Sequence, residues 1–243
     1  MHLAALAGLV VLAGCSSDRA TSDGGDPADP CTRVLGFSVT IGWYRSDGTS
    51  AASGFERVIG APDGWELMAG RGHGISHWGA GGPGWETPVT YASCGGDPDR
   101  VVLQVAIPEP ASDERVLSEL RAAVAEMRRR FPGARLDLMA IPDGPGCDTW
   151  SESIHDQMLR AIRGVANGID VFEGPDTRVT SCSHYRDVRG HLTREGGVVV
   201  ATQVADFYRV GPESVNRMRP VFFATSQRRF DAFNRRLSAL PLR

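Results

Sequence analysis

Two short stretches carry side chains suited to nucleophilic chemistry. The first, Val34-Leu35-Gly36-Phe37-Ser38-Val39-Thr40-Ile41-Gly42, brings a serine directly after an apolar run and a glycine. Such a run reads as a buried strand that turns sharply at its end, presenting Ser38 at the rim of a sheet with a helix start beyond it. Backbone N–H groups at a turn of this kind can hold an oxyanion beside the hydroxyl. The second, Asp187-Val188-Arg189-Gly190-His191-Leu192-Thr193-Arg194-Glu195-Gly196, supplies an imidazole and a carboxylate. A serine hydroxyl is a poor nucleophile until a base takes its proton. Taken alone, Gly-x-Ser-x-Thr-x-Gly fits a serine that merely satisfies turn backbone. The second stretch turns the reading toward chemistry.

Together the two stretches resemble the first and last sequence blocks of the SGNH (GDSL) hydrolase superfamily. There the serine follows Gly-Asp, and the histidine sits in Asp-x-x-His-Leu-Thr-x-x-Gly. The resemblance implies Ser38 as nucleophile, His191 as base and Asp187 as the carboxylate that orients the imidazole. It also implies ester substrates and no metal or other cofactor. The chain departs from the family at four places. Phe37 stands where the family has aspartate, and Asp187 lies four residues before His191 instead of three. Val188 occupies the expected place, and Gly190 offers a turn to absorb the extra residue. The second block reads Ile75-Ser76-His77 in place of Ile-Ser-Gly, which leaves the N–H of His77, or of Gly79 or Gly81 in its place, as oxyanion candidates. The third block, Gly-x-Asn-Asp, becomes Ala106-Ile107-Pro108-Glu109; proline brings neither an amide side chain nor a backbone N–H.

The elements that must position these residues alternate in type. Strands are expected over Arg33–Val39, Trp65–Ala69, Arg100–Ile107, Leu136–Ile141 and Ile169–Phe172. A short helix is expected over Phe55–Ile59. Ser112 reads as the cap of a longer helix with Leu117, Leu120, Val124, Met127 and Phe131 on its buried face, acidic residues at its start and Arg128–Arg130 at its end. Ile154, Met158, Ile162 and Val165 mark another, ended by Gly168, and Thr193 caps a last one running to about Tyr208. Strands alternating with helices predict a three-layer α/β/α sandwich around a parallel, flavodoxin-like sheet. Reactive groups in such sheets gather beyond the carboxyl ends of the strands, where Ser38 and His191 both fall.

The chain has 243 residues, 42% hydrophobic and 23% charged, with a net charge of -3. These values suit one domain with extensions and give no reason to expect nucleic acid. Residues 1–14 read as a signal peptide that ends in Leu12-Ala13-Gly14-Cys15, which resembles a bacterial lipobox. That implies cleavage before Cys15, lipidation of its thiol and a place in the cell envelope, with Ser16 pointing to the outer membrane of a two-membrane cell. Residues 15–30, rich in Ser, Asp, Gly and Pro, read as a disordered tether. The α/β domain is expected over 31–210, and 211–243 as a basic helical extension.

Four cysteines remain for an oxidising compartment. In a flavodoxin-like order, Cys31 and Cys94 fall at the amino edge of the sheet and Cys147 and Cys182 at its carboxyl edge, which pairs them that way. His73 and His77 lie in a glycine-rich loop where helical metal spacing has no meaning. Nearby, Trp78 and Trp85 fit sugar stacking or core packing equally well. The function expected is an envelope esterase or carbohydrate deacetylase acting on an acylated carbohydrate or lipid ester. The alternative is a catalytically inactive lipoprotein of the same fold that binds a glycan or a protein.

Overall fold

The computed structural model describes residues 30–45, 55, 58, 64–72, 74–90 and 94–211. The expected signal peptide, Cys15, the expected tether before Pro30, His73 and the residues from 212 onward lie outside them. Five strands form one parallel sheet: β1 Thr32–Gly36, β2 Trp65–Ala69, β3 Arg100–Val105, β4 Arg135–Ala140 and β5 Val171–Glu173. Their order is β2-β1-β3-β4-β5, the flavodoxin-like order expected. The register sets Val34 beside Leu67 and Val102, and Leu103 beside Leu138. All these residues are buried, as the strands of a sheet covered on both faces must be.

Among the described residues, four helices of stated extent cover the sheet: α1 Ser38–Tyr44, α2 Asp113–Arg130, α3 Trp150–Arg163 and α4 Arg194–Tyr208. Right-handed crossovers put α1 on one face and α2 and α3 on the other. Accordingly α4 packs on α1, and α2 packs on α3 and on a 3-10 turn, Ile75–Trp78. The caps follow the sequence: Ser112, Thr149 and Thr193 hydroxyls accept N–H groups in the first turns of α2, α3 and α4. On α2 the buried face uses Val116 together with Leu120, Val124 and Met127, while Leu117 is half-buried.

Several strand ends differ from expectation: β3 stops at Val105 instead of Ile107, β4 is shifted by one residue, and β1 and β5 have identifiable causes. β1 stops at Gly36 instead of Val39, for reasons that concern the site. β5 starts at Val171, because the Asn167 side-chain oxygen accepts the N–H groups of Ile169, Asp170 and Val171 and turns that segment outward. Ile169 is 84% exposed. α3 also ends early, at Arg163 with Gly164 as its cap. Both expected disulfides are present: Cys31–Cys94 at the amino edge, with Cα atoms 5.4 Å apart, and Cys147–Cys182 at the carboxyl edge, at 5.1 Å. Trp78 is core, Trp85 meets it edge-on at 5.2 Å, and the Arg130 guanidinium lies over Trp85. Neither tryptophan lines the cleft described next.

Candidate active site

Ser38 is set by a polar network buried under it. The Thr40 hydroxyl accepts the Phe37 N–H at 3.0 Å and donates to Gln104 Oε1 at 2.6 Å; the Trp43 indole N–H reaches the same oxygen at 3.3 Å. Thr40, Trp43 and Gln104 are all buried. This folding-back of Thr40 is what ends β1 two residues before Ser38 and starts α1. It also explains Gly36, since a Cβ there would fall onto the Thr40 hydroxyl. β-branched Val39, Thr40 and Ile41 favour a strand locally, and the network overrides that preference.

His191 is set by residues on either side of it. Leu192 is buried and packs against Gly42 of α1. Thr193 caps α4 and also donates its N–H to the His184 carbonyl at 2.8 Å. Gly196 leaves room for that carbonyl, which a Cβ would strike. So Leu192, Thr193 and Gly196 fix where α4 begins, and with it the residue just before Leu192. Across the loop, Trp150 donates its backbone N–H to the Val188 carbonyl at 2.8 Å and its indole N–H to the Ile107 carbonyl at 3.2 Å. The histidine loop is thereby tied to the carboxyl end of β3.

The two stretches meet. Ser38 Oγ lies 2.9 Å from His191 Nε2, and His191 Nδ1 lies 2.8 Å from Asp187 Oδ2. The extra residue between Asp187 and His191 is absorbed at Gly190, which adopts a φ of 81° and donates its N–H to the Asp187 carbonyl. Only glycine fits there for a second reason: a Cβ would fall onto the Ser151 hydroxyl. Asp187 Oδ1 accepts the backbone N–H groups of Arg189 and His191 at 3.1 and 3.3 Å. Partial burial pushes the Asp187 carboxyl up, but hydrogen bonds from the His191 ring and backbone outweigh it and hold the group below the usual range. Asp187 is thus a charged acceptor facing Nδ1, which leaves Nε2 free to accept a proton from Ser38.

Ser38 and His191 open into a cleft of about 530 Å³, walled mainly by apolar groups: Phe37, Ile107, Pro108, Ile141, Trp150 and Val188. Phe37, at the place of the family's aspartate, is one of these walls. The oxyanion candidates fare differently. His77 and Gly79 do not line the cleft, and their N–H groups are consumed within the turn, by the carbonyls of Gly74 and Ser76. That expectation is corrected: the block folds as a 3-10 turn against α2. Gly72 lines the cleft instead, at a φ of 74° and with open space around its Cα. Nothing in the spacing of Gly70 to Gly74 singles it out. Ser38 itself, first residue of α1, has an N–H with no intrahelical acceptor.

No family model matches the sequence, and no curated protein matches it at a significant level. Solved structures are similar in fold. An active-site mutant of a family two carbohydrate esterase from Clostridium thermocellum, in complex with a cello-oligosaccharide, superposes with a TM-score of 0.50 at 12% identity. It covers 75% of this chain, which spans 64% of that one. A Streptococcus pneumonia protein described as a platelet activating factor gives a TM-score of 0.50 at 14% identity, over 74% of this chain and 84% of that one. Family two carbohydrate esterases have an SGNH-hydrolase fold, and the parallel α/β sheet of this chain matches it.

Proposed function

We propose that the protein is a serine ester hydrolase that removes acyl groups from a carbohydrate or lipid ester at the cell envelope. One observation carries the reading: the unbroken chain Ser38–His191–Asp187, at 2.9 and 2.8 Å, at the mouth of a cleft on the carboxyl edge of the sheet. In this reading His191 Nε2 takes the Ser38 proton as Oγ attacks the ester carbonyl. The imidazolium is stabilised by Asp187 and then gives that proton to the departing alkoxide. Water, deprotonated by His191, hydrolyses the acyl-serine and releases the acid. The N–H groups of Ser38 and Gly72 are the donors available to the oxyanion; Pro108 has none to give.

The carbohydrate esterase neighbours add weight to a sugar ester but share little sequence with this chain. Anchoring through a lipidated Cys15 is part of the proposal. The two disulfides fit an exported protein, and loss of membrane fractionation in Cys15→Ala tests the anchor. For the chemistry, purified protein is assayed on small acetyl esters and acetylated oligosaccharides beside Ser38→Ala. The variant should lose activity by about a thousandfold or more. Equal rates would favour the second reading, an inactive binding protein, which the missing Pro108 donor also supports.

A further inference from the structure

Among the titratable groups that line the cleft, one is uncommitted. Glu109 pairs with Arg115 at 3.3 Å, and His191 is held between Ser38 and Asp187. Arg189 lines the same cleft and is exposed, with no carboxylate in ion-pair reach of its guanidinium among the described residues. Most described arginines are paired: Arg33 with Glu66, Arg128 with Asp170, Arg160 with Asp113 and Arg178 with Asp143. The backbone of Arg189 is nonetheless fixed at both ends. Its N–H goes to Asp187 Oδ1, and its carbonyl accepts the Ser151 hydroxyl at 3.4 Å. Arg71, beside cleft-lining Gly72, is also exposed and without a carboxylate partner among the described residues. A mostly apolar cleft thus carries, in Arg189, a guanidinium with no carboxylate partner among the described residues.

We propose that Arg189 selects esters whose alcohol portion bears an anionic group, a carboxylate or a phosphate. The inference rests on the hydrolase reading for its orientation. His191 must protonate the departing alkoxide, so the alcohol lies on the imidazole side of the scissile bond. Arg189 belongs to that same loop, two residues from His191. A planar guanidinium matches carboxylate and phosphate oxygens in a bidentate way, and a partly desolvated cleft strengthens the contact. The site is confined to this side, because beyond Trp150 and Val188 the surface carries Asp148 and Glu152.

The test compares wild type, Arg189→Gln and Arg189→Lys on three substrates: an O-acetylated uronic-acid oligosaccharide, an O-acetylated sugar phosphate and a neutral O-acetylated xylo-oligosaccharide. For Arg189→Gln, kcat/KM on at least one anionic substrate should fall about 10- to 100-fold, mainly through KM, as expected for one lost charge-assisted contact. The neutral substrate should change less than about twofold, and Arg189→Lys should recover part of the loss. Which anionic substrate responds tells carboxylate from phosphate. Equal losses on charged and neutral substrates, or no loss on any, would overturn the proposal. Binding of the same three compounds to Ser38→Ala, with and without Arg189→Gln, is read by calorimetry. Charge-dependent binding without hydrolysis by wild type would sink the hydrolase reading and keep the anion site; charge-independent binding would remove the anion site.

Discussion

The proposed nucleophile, Ser38, and its proposed base, His191, are held by different kinds of structure. Ser38 stands on a buried network, Thr40–Gln104–Trp43, between the ends of β1 and β3, where no member can change without disturbing the core. His191 stands on a surface loop whose tip, Val188 and Arg189, is exposed. That loop is held by separable ties: the Gly190 turn, the Trp150 hydrogen bonds, the Thr193 cap and the Cys147–Cys182 bridge. The difference teaches where function and stability should come apart. Changes beneath Ser38 ought to cost both together, and changes around His191 ought to cost turnover first.

Among changes that leave Ser38 and His191 in place, the largest effect on turnover should come from Asp187→Asn. The amide keeps the size of the side chain but no longer stabilises an imidazolium, and it can hold the wrong tautomer. Turnover should fall by about a hundred- to ten-thousandfold, while the urea midpoint of unfolding shifts little, since surface changes usually stay near 0.5 kcal/mol. The carboxyl is held below its ordinary value in the fold. Its contribution to stability is therefore full above the unfolded value near 3.9 and is lost as pH falls through the folded one. Asp187→Asn should lack that part of the acid dependence. A large loss of stability at neutral pH would break the contrast between the two sides.

Thr40→Val should show the opposite pattern. Valine nearly matches threonine in shape but leaves the Phe37 N–H without its acceptor and Gln104 Oε1 with only the longer bond from Trp43. The orphaned N–H costs about 1–3 kcal/mol, and the lost Thr40–Gln104 bond adds about 1 kcal/mol. Unfolding in urea should report a loss of about 2–4 kcal/mol, and turnover should drop about tenfold because the Ser38 turn loosens with it. Lower turnover at unchanged stability would show that the network is not what fixes the serine.

The same contrast governs what the sequence made legible. The outline of the sheet was readable, because buried parallel strands are continuous apolar runs and the helix caps at Ser112 and Thr193 are local chemistry. The cysteine pairs followed once strand order was set. The extent of β1 was not readable, since Val39 and Ile41 have strand-like side chains and only Gln104, far along the chain, turns Thr40 into a cap. The oxyanion candidates fell elsewhere for a related reason: whether His77 or Gly72 lines the cleft depends on how the glycine-rich loop folds, and residue types there do not say. The reach of Asp187 to His191 needed the positive φ of Gly190, which the glycine permits without requiring. Sequence carried local rules well and long-range hydrogen bonds poorly.

The smallest effect on turnover, and the one that sharpens the contrast most, separates the two disulfides. Cys31–Cys94 closes a separation of 63 residues at the amino edge, and Cys147–Cys182 one of 35 at the carboxyl edge. Loop entropy makes each worth about 4 kcal/mol, with little to choose between them. Replacing either pair by serine should therefore lower the unfolding midpoint by comparable amounts. Turnover should differ. The amino-edge bridge is remote from Ser38, so its loss should leave kcat within about twofold. The carboxyl-edge bridge ties the segment leading to His191 to the loop before α3. That loop keeps a second tie, because the Glu152 carboxylate accepts the N–H groups of Gly146, Cys147 and Asp148, which hold it below its usual range. Losing this bridge should cost about three- to tenfold in kcat, roughly 1 kcal/mol of transition-state stabilisation. If the two double substitutions lower kcat equally, the histidine loop draws nothing particular from its bridge, and the ties that remain, Trp150 to Val188 and Leu192 against α1, must hold His191 by themselves.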